Sequence, residues 1–255
     1  YDIKNKEVIL PSLSFVATAN AIVENGGIPK FVDINEKTLC IEPEKILDSI
    51  TNKTKIILPV HFGGFSSDLA EISKICKKNK IHLIEDAAHS TGATYKNRKI
   101  GSHGDLVCFS FHPVKNLAMP TGGLIAINSK NYKKIEKTLK EKRWCGITNR
   151  KGANYDVKNI GWNYYMNEFS AAIGLEQLKK LNHTNNRRKE IAKTYSQKIL
   201  TEKKMLFDNE CSYHFYWIRV KNREQFREKL LKKGIETGIH YKPIHTFSLY
   251  KSKIK

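Results

Sequence analysis

The residues best suited to chemistry fall in four short stretches. "FSFHPVKN" (109–116) places Ser110 and Lys115 at and just beyond the end of an apolar run, and "LIEDAAHS" (83–90) ends another run with Glu85, Asp86 and then His89. "PSLSF" (11–15) carries Ser12, Ser14 and Phe15, and "PVHFGG" (59–64) carries His61 before a Gly-Gly pair. An amine, a carboxylate, an imidazole, hydroxyls and an aromatic ring at one edge are the set that pyridoxal phosphate requires. A lysine holds its aldehyde as a Schiff base, and a carboxylate keeps its pyridine nitrogen protonated so that the ring accepts electrons. Its flat ring stacks on an aromatic face, and its phosphate takes hydroxyls and backbone N–H groups. Residue types alone leave plainer readings open: a surface lysine among 45 Lys and Arg, a strand-end carboxylate, a satisfied core histidine, a core phenylalanine. His61 lies at the same edge with no choice made between a structural and a substrate role.

The elements that must position these groups follow from the apolar pattern. Short continuous apolar runs predict strands at 7–12, 29–34, 55–60, 81–86, 105–111 and 122–128. Between them, helices are expected at 15–27, stopped by Gly26-Gly27, at 42–50, at 66–80 with Ser66 or Ser67 as cap, and at 129–143. Strands alternating with helices give an α/β fold, a mostly parallel sheet covered by helices. Ligands of such sheets bind beyond the carboxyl ends of the strands, where the four stretches fall. After residue 144 the pattern changes to a Gly- and Asn-rich loop (146–163), a helix over 167–182, a basic helix over 184–200, "YHFYWIRV", and a helix over 222–233. This divides the chain into a large domain, 1–184, and the beginning of a smaller α+β domain, 185–255.

Composition narrows the classes. The 255 residues are 40% hydrophobic and 10% aromatic, which describes a chain with a core rather than a disordered one. No apolar run approaches the ~20 residues of a membrane span, so no membrane partner is expected. The net charge of +20 raises nucleic-acid binding as a rival reading. The lysines, however, are scattered over amphipathic helices such as "KNYKKIEKTLKEKR", with no aromatic-basic platform, so no nucleic-acid partner is expected. Five cysteines, odd in number and without C-x-x-C spacing, read as reduced thiols of a cytoplasmic protein. The chain opens at Tyr1 on a strand already under way, so sequence is expected to be missing at the front and at the back.

The segment "EDAAHSTGATYKNRKIGSHGDLVCFSFHPVKN" resembles the signature of the DegT-type (DegT/DnrJ/EryC/StrS) sugar aminotransferases. "PSLSFVATANAI", "PVHFGG", "GWNYYMNEFSAAIGLEQL" and "HYKPIH" agree with the family in order over essentially the whole chain. The resemblance implies the pyridoxal-phosphate fold type I, with a seven-stranded-type sheet. It implies transfer of an amino group, with glutamate as donor, to a nucleotide-linked keto-sugar in polysaccharide, lipopolysaccharide or glycan precursor biosynthesis. Lys115 would be the Schiff-base lysine, Asp86 the partner of the pyridinium nitrogen, and His89 the contact to the ring hydroxyl. Ser110 would bind the phosphate and Phe15 would stack on the ring. Asn163 would reach the phosphate of a neighbouring subunit, making a homodimer with shared sites. His240, Tyr241 and His245 would face the sugar. Family members that dehydrate sugars instead carry histidine for the lysine; Lys115 speaks against that rival. Two departures flank the site: "AMPTGG" where the family often has "TTGEGG", and "NYYM" where "NYRM" is common.

Overall fold

Alternation along one strand explains the layering. In β1 (Glu7–Pro11) Ile9 points to one face of the sheet, while Val8 and Leu10 point to the other. The structure, a computed structural model, describes residues 1–251. After β1 come α1 (Ala17–Glu24), β2 (Ile28–Val32), α2 (Pro43–Ser49), β3 (Thr54–Ile57), α3 (Leu69–Asn79) and β4 (His82–Asp86). A small hairpin, β5 (Thr94–Tyr95) and β6 (Arg98–Lys99), precedes β7 (Leu106–Ser110), β8 (Gly123–Ile127) and α4 (Tyr132–Arg143). A second hairpin, β9 (Ile147–Lys151) and β10 (Asn154–Val157), leads to α5 (Glu168–Lys198), α6 (Arg223–Leu231) and α7 (Ser248–Lys251).

The main sheet has six strands in the order β2-β1-β3-β4-β7-β8, where seven were expected from the resemblance. All its pairs are parallel except β7–β8. Ile9, Ile57, Leu83 and Val107 pack with Ile46 of α2 and Leu69, Ile72 and Ile75 of α3 on one face. Val8, Leu10 and Ile56 pack with Ala19 and Ile22 of α1, and with Ile244 and Tyr250 from the end of the chain, on the other. Burying each such side chain stabilises the fold by about 1.5–3 kcal/mol, so the sheet with its covering helices is the rigid part that carries the site.

Three local expectations change. The cap of α3 is Asp68, whose carboxylate accepts the Glu71 N–H (3.2 Å), rather than Ser66 or Ser67. The loop expected over 146–163 contains the β9–β10 hairpin. The two helices expected over 167–200 are one, α5, which starts with the Asn167 side chain accepting the Ser170 N–H (2.8 Å) and runs unbroken through residues 184–185. Among the described residues no helix is long and apolar enough to cross a membrane. All five cysteines are free.

Candidate active site

Two neighbouring acids at the end of β4 are sent to opposite faces of the sheet. Glu85 is fully buried on the α3 side, where its carboxylate accepts from His61 Nε2 (2.8 Å) and from the Gly104 N–H. The Ser67 N–H donates to His61 Nδ1 (3.1 Å), which leaves the ring proton on Nε2 for Glu85. His61 is likewise fully buried and therefore structural. Asp86 turns to the α1 side: Oδ2 accepts from Thr18 Oγ1 of α1 (2.7 Å) and Oδ1 from the Ala88 N–H (3.0 Å). Both oxygens keep a further lone pair.

Lys115 follows β7 in a turn closed by its N–H on the His112 carbonyl (2.8 Å). It is half-buried. Loss of water pushes its amine below the ordinary lysine range, and the charge of nearby Asp86 partly offsets this. His89 is buried, and its Nδ1 accepts the Gly63 N–H (3.3 Å), so Nε2–H donates to the Tyr241 hydroxyl (3.1 Å). Burial, reinforced by the charge of Lys115, pushes His89 down to about 2, which keeps the imidazole neutral. Burial also pushes the Tyr241 phenol up to about 12, with Asp86 adding to it.

Phe15 lies 5.9 Å from the Tyr241 ring between centroids and leaves 58% of its surface exposed. His240 packs on Phe215 (4.4 Å) and is pushed down by burial and by Lys115. One cluster thus joins Lys115, Asp86, His89, Phe15, His240 and Tyr241. Ser110 ends β7, its Oγ taking only a long bond from the His112 N–H (3.4 Å). His245 docks on the end of β1: its Nδ1 lies 2.6 Å from Ser12 Oγ, and its N–H donates to the same oxygen (3.3 Å). Asn163 stands apart, exposed, with its backbone bridged to Trp144.

Four residues in or beside the cluster were missed from sequence: Thr18, Asn116, Asn185 and His214. The His214 ring stacks on His89 at 4.5 Å, and its Nδ1 lies 3.2 Å from Asn116 Oδ1. Burial and Lys115 push His214 down to about 3. Thr18 was legible in principle, since it follows Phe15 by three residues within the stretch expected to be helical, 15–27. A surface groove of about 800 Å³, lined by Lys133, Lys137, Lys140, Arg143, Trp144 and Tyr165 among others, contains none of these groups.

The donor set fits pyridoxal phosphate. It offers a desolvated amine, a carboxylate with spare lone pairs, a neutral imidazole, an aromatic ring with an open face, and a serine hydroxyl at a strand end.

Residues 1–255 match the sequence pattern of the DegT/DnrJ/EryC1/StrS aminotransferase family throughout. The chain belongs to this family. An uncharacterised protein of Methanocaldococcus jannaschii is 34% identical over 98% of this chain and 69% of its own. Helicobacter pylori PseC, an aminotransferase involved in the biosynthesis of pseudoaminic acid, superposes with a TM-score of 0.91 at 30% identity, covering 99% of this chain and 70% of PseC. Spr1654 of Streptococcus pneumoniae, described as a sugar aminotransferase and solved in PLP and PMP forms, has a TM-score of 0.92 in both at 27% identity. These matches cover 98% of this chain, with 71% and 70% of Spr1654. PseC and Spr1654 are aminotransferases of this family, whose aminotransferases use pyridoxal phosphate, and the α/β fold with its mostly parallel sheet is theirs.

Proposed function

We propose that this chain transfers an amino group from glutamate to a nucleotide-linked keto-sugar, at C3 or C4 of a deoxyhexose, in the making of a polysaccharide, lipopolysaccharide or glycan precursor. The observation that carries the reading is the desolvated Lys115 amine within electrostatic reach of Asp86 at the carboxyl ends of β4 and β7. When bound, pyridoxal phosphate supplies an aldehyde that captures amines and a ring that accepts the electrons released at the donor carbon.

Lys115 anchors the cofactor at rest. Burial favours the neutral form of its free amine, which would suit Nζ to take and return the proton at the donor carbon. Asp86, steadied by Thr18 and by the Ala88 N–H, holds a proton on the ring nitrogen. His89, kept neutral, would contact the ring hydroxyl through the Nε2–H that meets the Tyr241 hydroxyl here. Ser110 Oγ, at the end of β7, would receive the phosphate, and the exposed face of Phe15 would take the ring. His240, Tyr241 and His245 form the sugar side, held over the sheet edge by the docking of His245 on Ser12. The two half-reactions share one site, so kinetics are ping-pong.

Asn163 serves the neighbouring subunit's phosphate in a homodimer. In support, Ile160, Tyr164, Phe169, Leu175 and Leu178 are exposed apolar side chains in the same stretch of chain. Residues 185–255 begin a smaller unit, although Met205, Tyr213, Ile244 and Tyr250 from that stretch pack against the large domain. The cytoplasm is the setting, in line with five unpaired cysteines.

Borohydride reduction of the cofactor-loaded protein, followed by peptide mapping, tags Lys115; a tag on a lysine outside 109–123 overturns the site. A panel of nucleotide keto-sugars assayed with glutamate yields an amino sugar from at least one, and Lys115→Ala abolishes that turnover.

A further inference from the structure

The residue after Lys115 is the most thoroughly anchored polar side chain near the site. Asn116 is buried, and its Nδ2 donates to Asn185 Oδ1 of α5 (2.8 Å) and to the Ser212 carbonyl (2.8 Å). Both donors being used, its Oδ1 is the acceptor, and His214 Nδ1–H fills it at 3.2 Å. The partners are themselves fixed. Asn185 Nδ2 donates to the Thr91 carbonyl (3.0 Å), and Ser212 Oγ donates to the His89 carbonyl (2.9 Å). The His214 N–H donates to the Gly63 carbonyl (2.9 Å), while its ring stacks on His89. Two separated parts of the chain, α5 and the 212–214 segment, therefore converge on one amide. A largely buried network of this kind holds a definite geometry, because each broken bond strands a desolvated partner.

We infer that Asn116 is a positioning residue: through Asn185, Ser212 and His214 it fixes the backbone from which Lys115 reaches the site, and so sets where the reactive amine stands relative to Asp86 and His89. Asn116 need not touch substrate. Its orientation couples the loop after β7 to α5 and to the 212–214 segment, so the lysine and the His89 loop are referred to the same frame. A displacement of about 1 Å at a reacting group costs on the order of 100-fold in rate. Substrate binding is carried by other side chains and stays largely intact.

This inference rests on Lys115 being the reactive amine, which borohydride tagging of the wild-type holoenzyme checks first and separately. Given that tag, Asn116→Ala lowers kcat about 100-fold while KM changes by less than about threefold. In the protein freed of cofactor, competitive acetylation read by mass spectrometry gives the pH midpoint of Lys115, and Asn116→Ala moves it up towards that of the surface lysines. His214→Phe keeps a ring against His89 and removes only the bond to Oδ1. It moves both quantities the same way by a smaller amount, and it serves as the test should Asn116→Ala not fold. A lowered thermal midpoint with unchanged kcat and unchanged Lys115 midpoint in a folded variant overturns the inference, leaving Asn116 a structural residue only. A rise in KM with kcat retained overturns it as well.

Discussion

Lys115 and Lys74 show how environment separates two chemically identical side chains. Lys74 is fully exposed, and its hydrogen bond and charge pairing with Glu71 push its amine up. Lys115 is half-buried in a loop after a strand, and desolvation pushes its amine down against the pull of Asp86. A lowered value leaves more of the amine neutral at any pH below its ordinary range, which is the form that attacks a carbonyl or accepts a proton. Because Asp86 raises the value, Asp86→Asn shifts the acetylation midpoint of Lys115 further down in cofactor-free protein. The same substitution removes the carboxylate that holds the ring proton and lowers kcat by on the order of 10³-fold. A midpoint that moves up, or full activity, would contradict the pairing. Lys115, Asp86 and His89 were legible as residue types beyond buried strands. His214 and Asn116 were not, since their roles arise from a network whose members are far apart in sequence.

At the scale of elements, the strands of the main sheet were legible because each is a compact apolar run between turn residues. The β9–β10 hairpin was not, as "TNRKGANYDV" shows neither apolar alternation nor burial beyond its first strand. "NHTNNRR" reads like a helix break, yet α5 runs through it, because Asn185 is turned inward and bonded rather than turning the chain. The turn after His61 makes a strict demand on the backbone beside the site. Gly64 adopts φ +96°, and a Cβ there would lie 2.5 Å from Ser212 Oγ, 2.9 Å from the Tyr213 nitrogen and 3.0 Å from the His89 carbonyl oxygen. Two of those three atoms are backbone and cannot swing aside. Gly64→Ala therefore costs about 2–4 kcal/mol in a urea unfolding experiment, and it weakens cofactor binding by moving His89.

At the scale of the whole molecule, burying neutral imidazoles ties stability to pH. His89 and His214 are held at about 2 and about 3, below the ordinary histidine value of 6.5. The unfolded chain takes up a proton on each below about pH 6.5, whereas the folded protein does not. Stability is complete above that pH and falls as the pH drops, by about 1.4 kcal/mol per pH unit for each imidazole. Urea unfolding at pH 7 and pH 5 measures the slope, and His214→Phe makes it shallower; an identical slope in the variant would remove His214 from the account. The +20 net charge, the most conspicuous feature of the composition, has little to do with this centre. The basic helix α4 buries none of its residues, so its share of the charge is a solvated surface.

The division of labour between Glu85 and Asp86 also bears on how the chain reaches its native state. Side chains alternate along a strand, so sliding β4 by one position exchanges faces for every residue it carries. A strand slipped so that Asp86 takes the place of Glu85 under His61 would carry Glu85 to the position of Ile84, among the apolar groups of the α1 face, and would leave Thr18 without its acceptor. Such a conformer would still be compact, with apolar groups misdirected and the cofactor pocket spoiled. The pairing in which Ile84, Glu85 and Asp86 lie beside Leu106, Val107 and Cys108 is therefore the one that satisfies His61 and Thr18 at once.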